Sequence, residues 1–355
     1  MTRRFFQFGA ISLAAAIILA IGIGSARAQQ GVSASISQAD QAAAAAAIAG
    51  GHYAIELTPT REGAAKGPGA FARLGAAANP ATSTDDDNNP FIVAPSTAWG
   101  PVDMSFHSSG LTITSWKQWN VYLGCGSSDQ SCWGNPQQFI TDLDGSHFIH
   151  LLDQYTGSTK PKRYPLASAF ITNGSPVPTF FSQADTFTWL EAAVNAAAAI
   201  PGNSAASVTG PGNVYHLYFV SGTDVCADAS NTECYSPDNL PTFAFCGYHS
   251  WIDFGPPFNR VYFTVEPFQA VTGCFGPTAD LTSATSNTLS HEIFEAISDP
   301  DLDAWYGNNT FPLNNFGEEI GDECAWAHLF PQKLGKNTYV TQNEYSNKSH
   351  SCAAK

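Results

Sequence analysis

Ser290-His291-Glu292-Ile293-Phe294-Glu295-Ala296-Ile297-Ser298-Asp299-Pro300 is the most informative stretch of the chain. At about 100° per residue, His291 and Glu295 stand about 40° apart on one helix face, close enough to share a cation. Leu289, Ile293, Ala296 and Ile297 gather on the other side. The pattern predicts a helix that packs by one face and presents His291 and Glu295 on the other. It runs from about Thr278 or Asp280 to Ser298 and stops at Asp299-Pro300, because the residue before proline is pushed out of the helical region. Glu292 lies about a quarter-turn from His291, the general-base position of a His-Glu-x-x-His zinc helix. Glu295 replaces the second histidine. A carboxylate there is a competent Zn2+ ligand, and it makes the site harder and more tolerant of Mn2+ or Ca2+.

His-Glu-x-x-Glu alone occurs by chance on acidic helices, so the third ligand decides the matter. Downstream comes Gly317-Glu318-Glu319-Ile320-Gly321-Asp322-Glu323-Cys324, without a Lys or Arg to neutralise it. Crowded carboxylates repel unless protons or a cation intervene. Asp322 is the first choice for the third ligand and Glu319 the second. Asp301 occupies the third-ligand offset of a metzincin-like pattern, but Ser298 stands where that pattern needs glycine, so Asp301 and Asp299 rank lower.

Outward from this helix, β-branched and aromatic runs of strand length alternate with helical spacings. Strands are expected at 111–123, 166–171, 214–220, 243–254 and 261–265, and helices at 136–155 and 182–200. The alternation argues for a single layered α/β domain with a mixed β-sheet flanked by helices, spanning 96–355. His147 and His150 sit among apolar neighbours and read as structural. Trp305-Tyr306 reads as packing after a helix stop. No Gly-x-Ser-x-Gly elbow occurs, which removes the usual serine-hydrolase reading.

Residues 1–28 combine Arg3-Arg4, an apolar stretch from Ile11 to Ile23 and the small-residue site Ala26-Arg27-Ala28. This is the form of an export signal cleaved after Ala28, too short in its apolar part to span a bilayer. Residues 29–95 carry an alanine tract, scattered Gly and Pro and few large apolar residues, and read as a linker or pro-segment with one short helix at most. All eight cysteines follow the signal and lack the paired spacing of a zinc ribbon, so four disulfides are expected, Cys125–Cys132 and Cys324–Cys352 first among them. The 355 residues carry a formal charge of −15, which disfavours nucleic acid and anionic lipid as partners. Between Tyr164 and Gln332, Arg260 is the only basic residue against 18 Asp and Glu.

The ordered motifs resemble the Exordium-like, or phosphate-induced protein, family of secreted proteins. They are Ser290-His291-Glu292 through Asp299-Pro300, Asp303-Ala304-Trp305-Tyr306, Glu319-Ile320-Gly321-Asp322-Glu323-Cys324 and Cys246-Gly247-Tyr248-His249-Ser250. The resemblance implies a role in the extracellular space or cell wall, and bacterial members that keep the complete motif look like metallopeptidases. His249 is then a further metal ligand or a transition-state donor, or else a histidine bonded within a disulfide-bounded turn. The expected protein is a secreted zinc-dependent peptidase with a zincin-like helix, in which His291, Glu295 and Asp322, with Glu319 as the alternative, hold Zn2+ and Glu292 acts as base. Its rival is a non-catalytic extracellular protein in which a structural Ca2+ occupies the same cluster and the surface binds a polysaccharide or a receptor.

Overall fold

A computed structural model describes residues 32–34, 36–61, 103–107, 110–125, 130–172, 178–307, 319–326 and 329–354. The expected export signal and Glu318 lie outside these residues. The centre is a seven-stranded mixed sheet. Its strands are β1 (Val32–Ala34), β2 (Tyr53–Pro59), β3 (Lys117–Leu123), β4 (Leu166–Thr172), β5 (Asn213–Phe219), β6 (Phe245–Asp253) and β7 (Arg260–Glu266). Their spatial order is β1-β4-β3-β5-β7-β6-β2. Only β6 runs antiparallel to its neighbours, so it is the one strand that reverses direction in an otherwise parallel sheet.

Side-chain alternation gives the sheet two unlike faces. Trp119, Val121 and Leu123 of β3, Tyr215, Leu217 and Phe219 of β5, and Val261, Phe263 and Val265 of β7 join one buried apolar cluster. The helices α1 (Gln38–Gly50) and α3 (Gln183–Ala198) pack into it through Ala44, Ala47, Phe187, Leu190 and Val194. Each fully buried large apolar side chain there contributes about 1.5–3 kcal/mol. The opposite face carries Gln118, Asn120, His216, Thr264, Glu266 and His249, all at most 1% exposed. On that side lie α2 (Pro136–Asp144) and α4 (Leu281–Ser298), which share a second apolar cluster through Phe139, Leu143, Leu289, Ile293 and Phe294. Two hairpins complete the C-terminus: β8 (Phe330–Leu334) with β9 (Asn337–Thr341), and β10 (Glu344–Ser346) with β11 (Ser351–Ala353).

Residues 32–34 and 36–59 correct the sequence reading of 29–95, because β1, α1 and β2 belong to the folded layer rather than to a linker, while 62–95 lie outside the described residues. The alanine tract forms α1, capped by Ser37, whose hydroxyl accepts from the Asp40 amide while the Asp40 carboxylate accepts from the Ser37 amide. Small side chains supply little area, but they let α1 approach α3 closely, and β2 gains a full ladder on β6. The folded layer therefore begins before residue 96.

Four disulfides close Cys125–Cys132, Cys226–Cys234, Cys246–Cys274 and Cys324–Cys352. No helix among the described residues is long and apolar enough to cross a membrane. The expected helix at 136–155 is broken into α2, a 3-10 turn at Phe148–Leu152 and a short helix at Asp153–Thr156.

Candidate metal centre

Helix α4 starts where Asp280 accepts from the Ser283 amide at 3.0 Å, and it lies against β6, β7 and β9. The open face expected for His291 and Glu295 is absent. Every residue from Ser283 to Ser298 is buried, because the polar side of α4 is covered by the sheet, by the 319–326 segment and by the C-terminal hairpins. The histidine and carboxylates are thus interior groups.

Two clusters form around Glu295. In the first, His291 Nε2 stands 3.0 Å from Glu295 Oε1 and 3.5 Å from Asp322 Oδ1. Donor atoms on a tetrahedral Zn2+ with bonds of about 2.0–2.1 Å lie ~3.3 Å apart, between these two separations, so the set could hold a metal ion. The Asp322 amide also donates to Glu295 Oε1 at 3.1 Å. In the second cluster, His249 Nδ1 lies 3.5 Å from Glu295 Oε2 and 3.6 Å from Glu292 Oε2, and Nε2 lies 3.4 Å from Glu319 Oε2. His249 sits in β6 opposite Thr264, so it is a strand residue aimed at α4, not one in a turn. The expected residues His249, His291, Glu292, Glu295, Glu319 and Asp322 are therefore brought together.

Close approach at the site depends on two glycines. A Cβ on Gly321 would lie 2.6 Å from Glu295 Oε1 and 2.8 Å from His291 Nδ1. A Cβ on Gly247 would lie 2.6 Å from Glu292 Oε1. The disulfides Cys246–Cys274 and Cys324–Cys352 hold the segments that carry these glycines, and the Tyr345 amide donates to the Ile320 carbonyl at 2.8 Å.

The electrostatics demand protons or cations. Glu266, Glu292, Glu295, Asp299, Glu319, Asp322 and Glu344 are all buried around two imidazoles. Arg163 and Arg260 are engaged elsewhere, with Asp153 at 2.8 Å and Asp301 at 2.7 Å. Burial pushes Asp322 up to about 7, and the neighbouring Glu295 charge adds to it. Burial likewise pushes Asp299 up to about 7 and drives Glu266 and Glu344 well above the ordinary carboxyl range. Glu292 is raised by burial as well. Burial also opposes charge on Glu295, yet His291 and His249 hold it down at about 2. Burial opposes charge on the imidazoles too, but the carboxylates prevail, taking His249 up to about 10 and His291 well above its usual value. The chain alone balances this interior with shared protons, which a divalent ion would displace.

Polar atoms without hydrogen bonds mark where a cation fits. Both ring nitrogens of His249, Nε2 of His291 and both carboxylate oxygens of Asp322 have no hydrogen-bond partner, although all three residues are at most 2% exposed. His216, one strand removed on the same face, is the opposite case. Its Nε2 is 2.8 Å from Gln118 Oε1 and its Nδ1 2.8 Å from Thr264 Oγ1, which lies 2.7 Å from Glu266 Oε1. The Gln118 amide donates to the Tyr164 carbonyl, so its oxygen must accept from His216. Burial holds His216 down at about 3, and Thr264 Oγ1 donates on to Glu266 Oε1. His216 is a satisfied core histidine.

Asp301 accepts from the Tyr262 hydroxyl at 2.8 Å and pairs with Arg260, outside the cluster, while Asp299 Oδ1 accepts from the Asp303 and Ala304 amides. His150 pairs with Asp153 at 3.0 Å, Trp305 donates to the Tyr155 carbonyl at 2.9 Å, and Tyr306 stacks on His107. Four participants escaped the sequence reading. Thr58 donates to Glu292 Oε1, and Gln342 places its amide 3.0 Å from His291 Nδ1 and 3.2 Å from Glu344 Oε2. Glu266 and Glu344 are the other two. No nearby motif marks them, since strand pairing and the hairpins bring them in from distant parts of the chain. No protein-family model, no curated protein and no solved structure matches the chain.

Proposed function

We propose that the chain is an exported metal-dependent hydrolase with a zincin-like helix, in which His291, Glu295 and Asp322 hold Zn2+ and Glu292 is the general base for hydrolysis of a peptide amide bond. The observation that carries this reading is a three-donor set with Nε2 of His291 and both Asp322 oxygens lacking a hydrogen bond, next to a third carboxylate, Glu292, on the same helix. A divalent ion bound there would acidify a water and polarise a carbonyl. Mn2+ or Ca2+ suits the same carboxylate-rich set less selectively. Glu292 is oriented by the Thr58 hydroxyl and raised by burial, so it is suited to accept a proton and return it to a leaving amine. His249 Nδ1 stands 3.6 Å from Glu292 Oε2, the other oxygen of that base. Gln342 places its amide nitrogen 3.0 Å from His291 Nδ1 and donates to the Gly321 carbonyl at 2.8 Å, so it holds the ring against the 319–326 segment.

One observation favours a second reading. His249, His291 and Glu292 are 0% exposed, and closed sites are the mark of structural ions. In that case a Ca2+ or Zn2+ staples α4 to the 319–326 segment, and the protein works as an extracellular binding module for polysaccharide or a receptor. The resemblance to Exordium-like proteins is compatible with either role.

The test is metal content and peptidase activity of the full chain beside His291→Ala and Glu292→Gln. The hydrolase reading expects about one or more zinc per chain in the parent and in Glu292→Gln, a loss in His291→Ala, and a fall in turnover of about 100-fold or more in Glu292→Gln. Bound metal with no hydrolysis of any peptide library favours the structural role. Absence of metal contradicts both.

A further inference from the structure

We propose that the centre is dinuclear: Glu295 bridges two divalent cations, one held with His291 and Asp322, the other with His249 and Glu319. The proposal rests on the metal reading above and extends it. Its key observation is how the Glu295 carboxylate is divided. Oε1 faces His291 Nε2 at 3.0 Å, and Oε2 faces His249 Nδ1 at 3.5 Å. A single ion would draw one histidine and one or both oxygens to one side. Here each oxygen has its own histidine and its own second carboxylate.

His249 supplies the independent observation. It is 0% exposed, it is aimed from β6 into the carboxylates, and neither ring nitrogen makes a hydrogen bond. His216, in a comparable position on β5, shows how this sheet satisfies a histidine that has no ligand. One nitrogen of His249 and one oxygen each of Glu295 and Glu319 lie within 4.8 Å of one another, and the same is true of His291, Glu295 and Asp322. A carboxylate bridging through its two oxygens sets paired ions about 3.5–4 Å apart, the usual spacing of two-metal hydrolytic sites.

The test loads the full chain with Mn2+, and separately with Zn2+, and reads stoichiometry by mass spectrometry of the metal and Mn2+ spin coupling by electron paramagnetic resonance. Two ions per chain with an exchange-coupled Mn2+ pair are expected. His249→Gln and His291→Gln should each bind one ion and lose the coupling, and Glu295→Gln should lose the coupling too. One ion per chain in the parent, unchanged in His249→Gln, overturns the dinuclear centre and leaves the hydrolase reading standing. Two uncoupled ions overturn the bridge. Coupling in the parent needs no variant, so a misfolded substitution does not affect that arm. Two coupled ions without hydrolysis support the pair and count against the hydrolase alone.

Discussion

The two faces of the central sheet are made by the same strands and solve opposite problems. On the α1/α3 side, Leu217, Phe219, Phe263 and Val265 meet Phe187 and Leu190, and burial of apolar area suffices to hold the layers together. On the α4 side, the alternate residues of those strands are His216, Thr264 and Glu266, with His249 on β6. A buried polar face is stable only where each group finds a partner. Part of it does, through the chain from Gln118 to Glu266. The part around Glu295 does not, and the contrast between His216 and His249 lies within two strand spacings, either side of Thr264. Partners inside the protein account for one half of this face, and the groups of the other half could hold a cation.

The sharpest way to separate the faces is to damage each one. Phe263→Ala removes a ring that packs edge-on against Phe187 and should cost about 3–5 kcal/mol in denaturant unfolding, with metal content unchanged. If metal is lost along with stability, the faces are not independent. Chelation of the bound ion should act on the other side, lowering stability by about 4 kcal/mol where the ion had been present at ~1,000 times its dissociation constant, readable as a fall in Tm. Gly321→Ala should have a similar effect without a chelator, because its methyl group would occupy the space of Glu295 Oε1 and His291 Nδ1. An alanine variant that retains full metal content would contradict the close approach at residue 321.

Acidity gives a graded test. Metal binding needs Asp322 ionised and the imidazole nitrogens free, whereas the metal-free centre holds protons on both, with Asp322 up at about 7. Protons therefore compete with the ion, the imidazole protons already above pH 7 and the Asp322 proton in addition below about 7, so affinity should fall as pH drops, ~tenfold per pH unit for each proton released. Calorimetric titration in buffers of different ionisation enthalpy counts those protons, and a pH-independent affinity would argue against these ligands. The smallest expected effect lies on the apolar side, where burial and then Asp40 raise Glu191 to about 7. The folded state binds that proton more tightly than the unfolded chain, so stability falls between about pH 4.5 and 7 and stays lower above. Glu191→Gln should remove that fall and stabilise the protein by about 1–2 kcal/mol at pH 8, with no change at pH 4. An equal gain at both pH values would assign the effect to packing instead.

Much of this is legible in the sequence because it is local. The His291–Glu295 spacing, the Asp299-Pro300 stop and the unneutralised run at Glu319 and Asp322 each act within one or two turns of chain, and the structure joins them. Five of the seven sheet strands also read correctly in place from their aromatic and β-branched runs, although the run at 111–123 pairs only from Lys117 onward. What was illegible is non-local. The seal over α4 comes from hairpins some 50 residues downstream, as the Gln342 contact with His291 shows. The place of β2 is fixed by its ladder on β6, almost 200 residues away, and composition alone had suggested too little apolar surface for order. His249 could be named from its motif, but its unsatisfied nitrogens follow only from the pairing of β6 with β7.

The central claim, that the α4 face is completed by a divalent cation, is tested most directly by the metal content of the full chain purified without chelator, measured beside His291→Ala. Zinc, or manganese in its place, at one to two per chain in the parent and strongly reduced in the variant is the predicted result. A parent chain that is folded, carries no divalent metal and keeps the same Tm with and without chelator would contradict it.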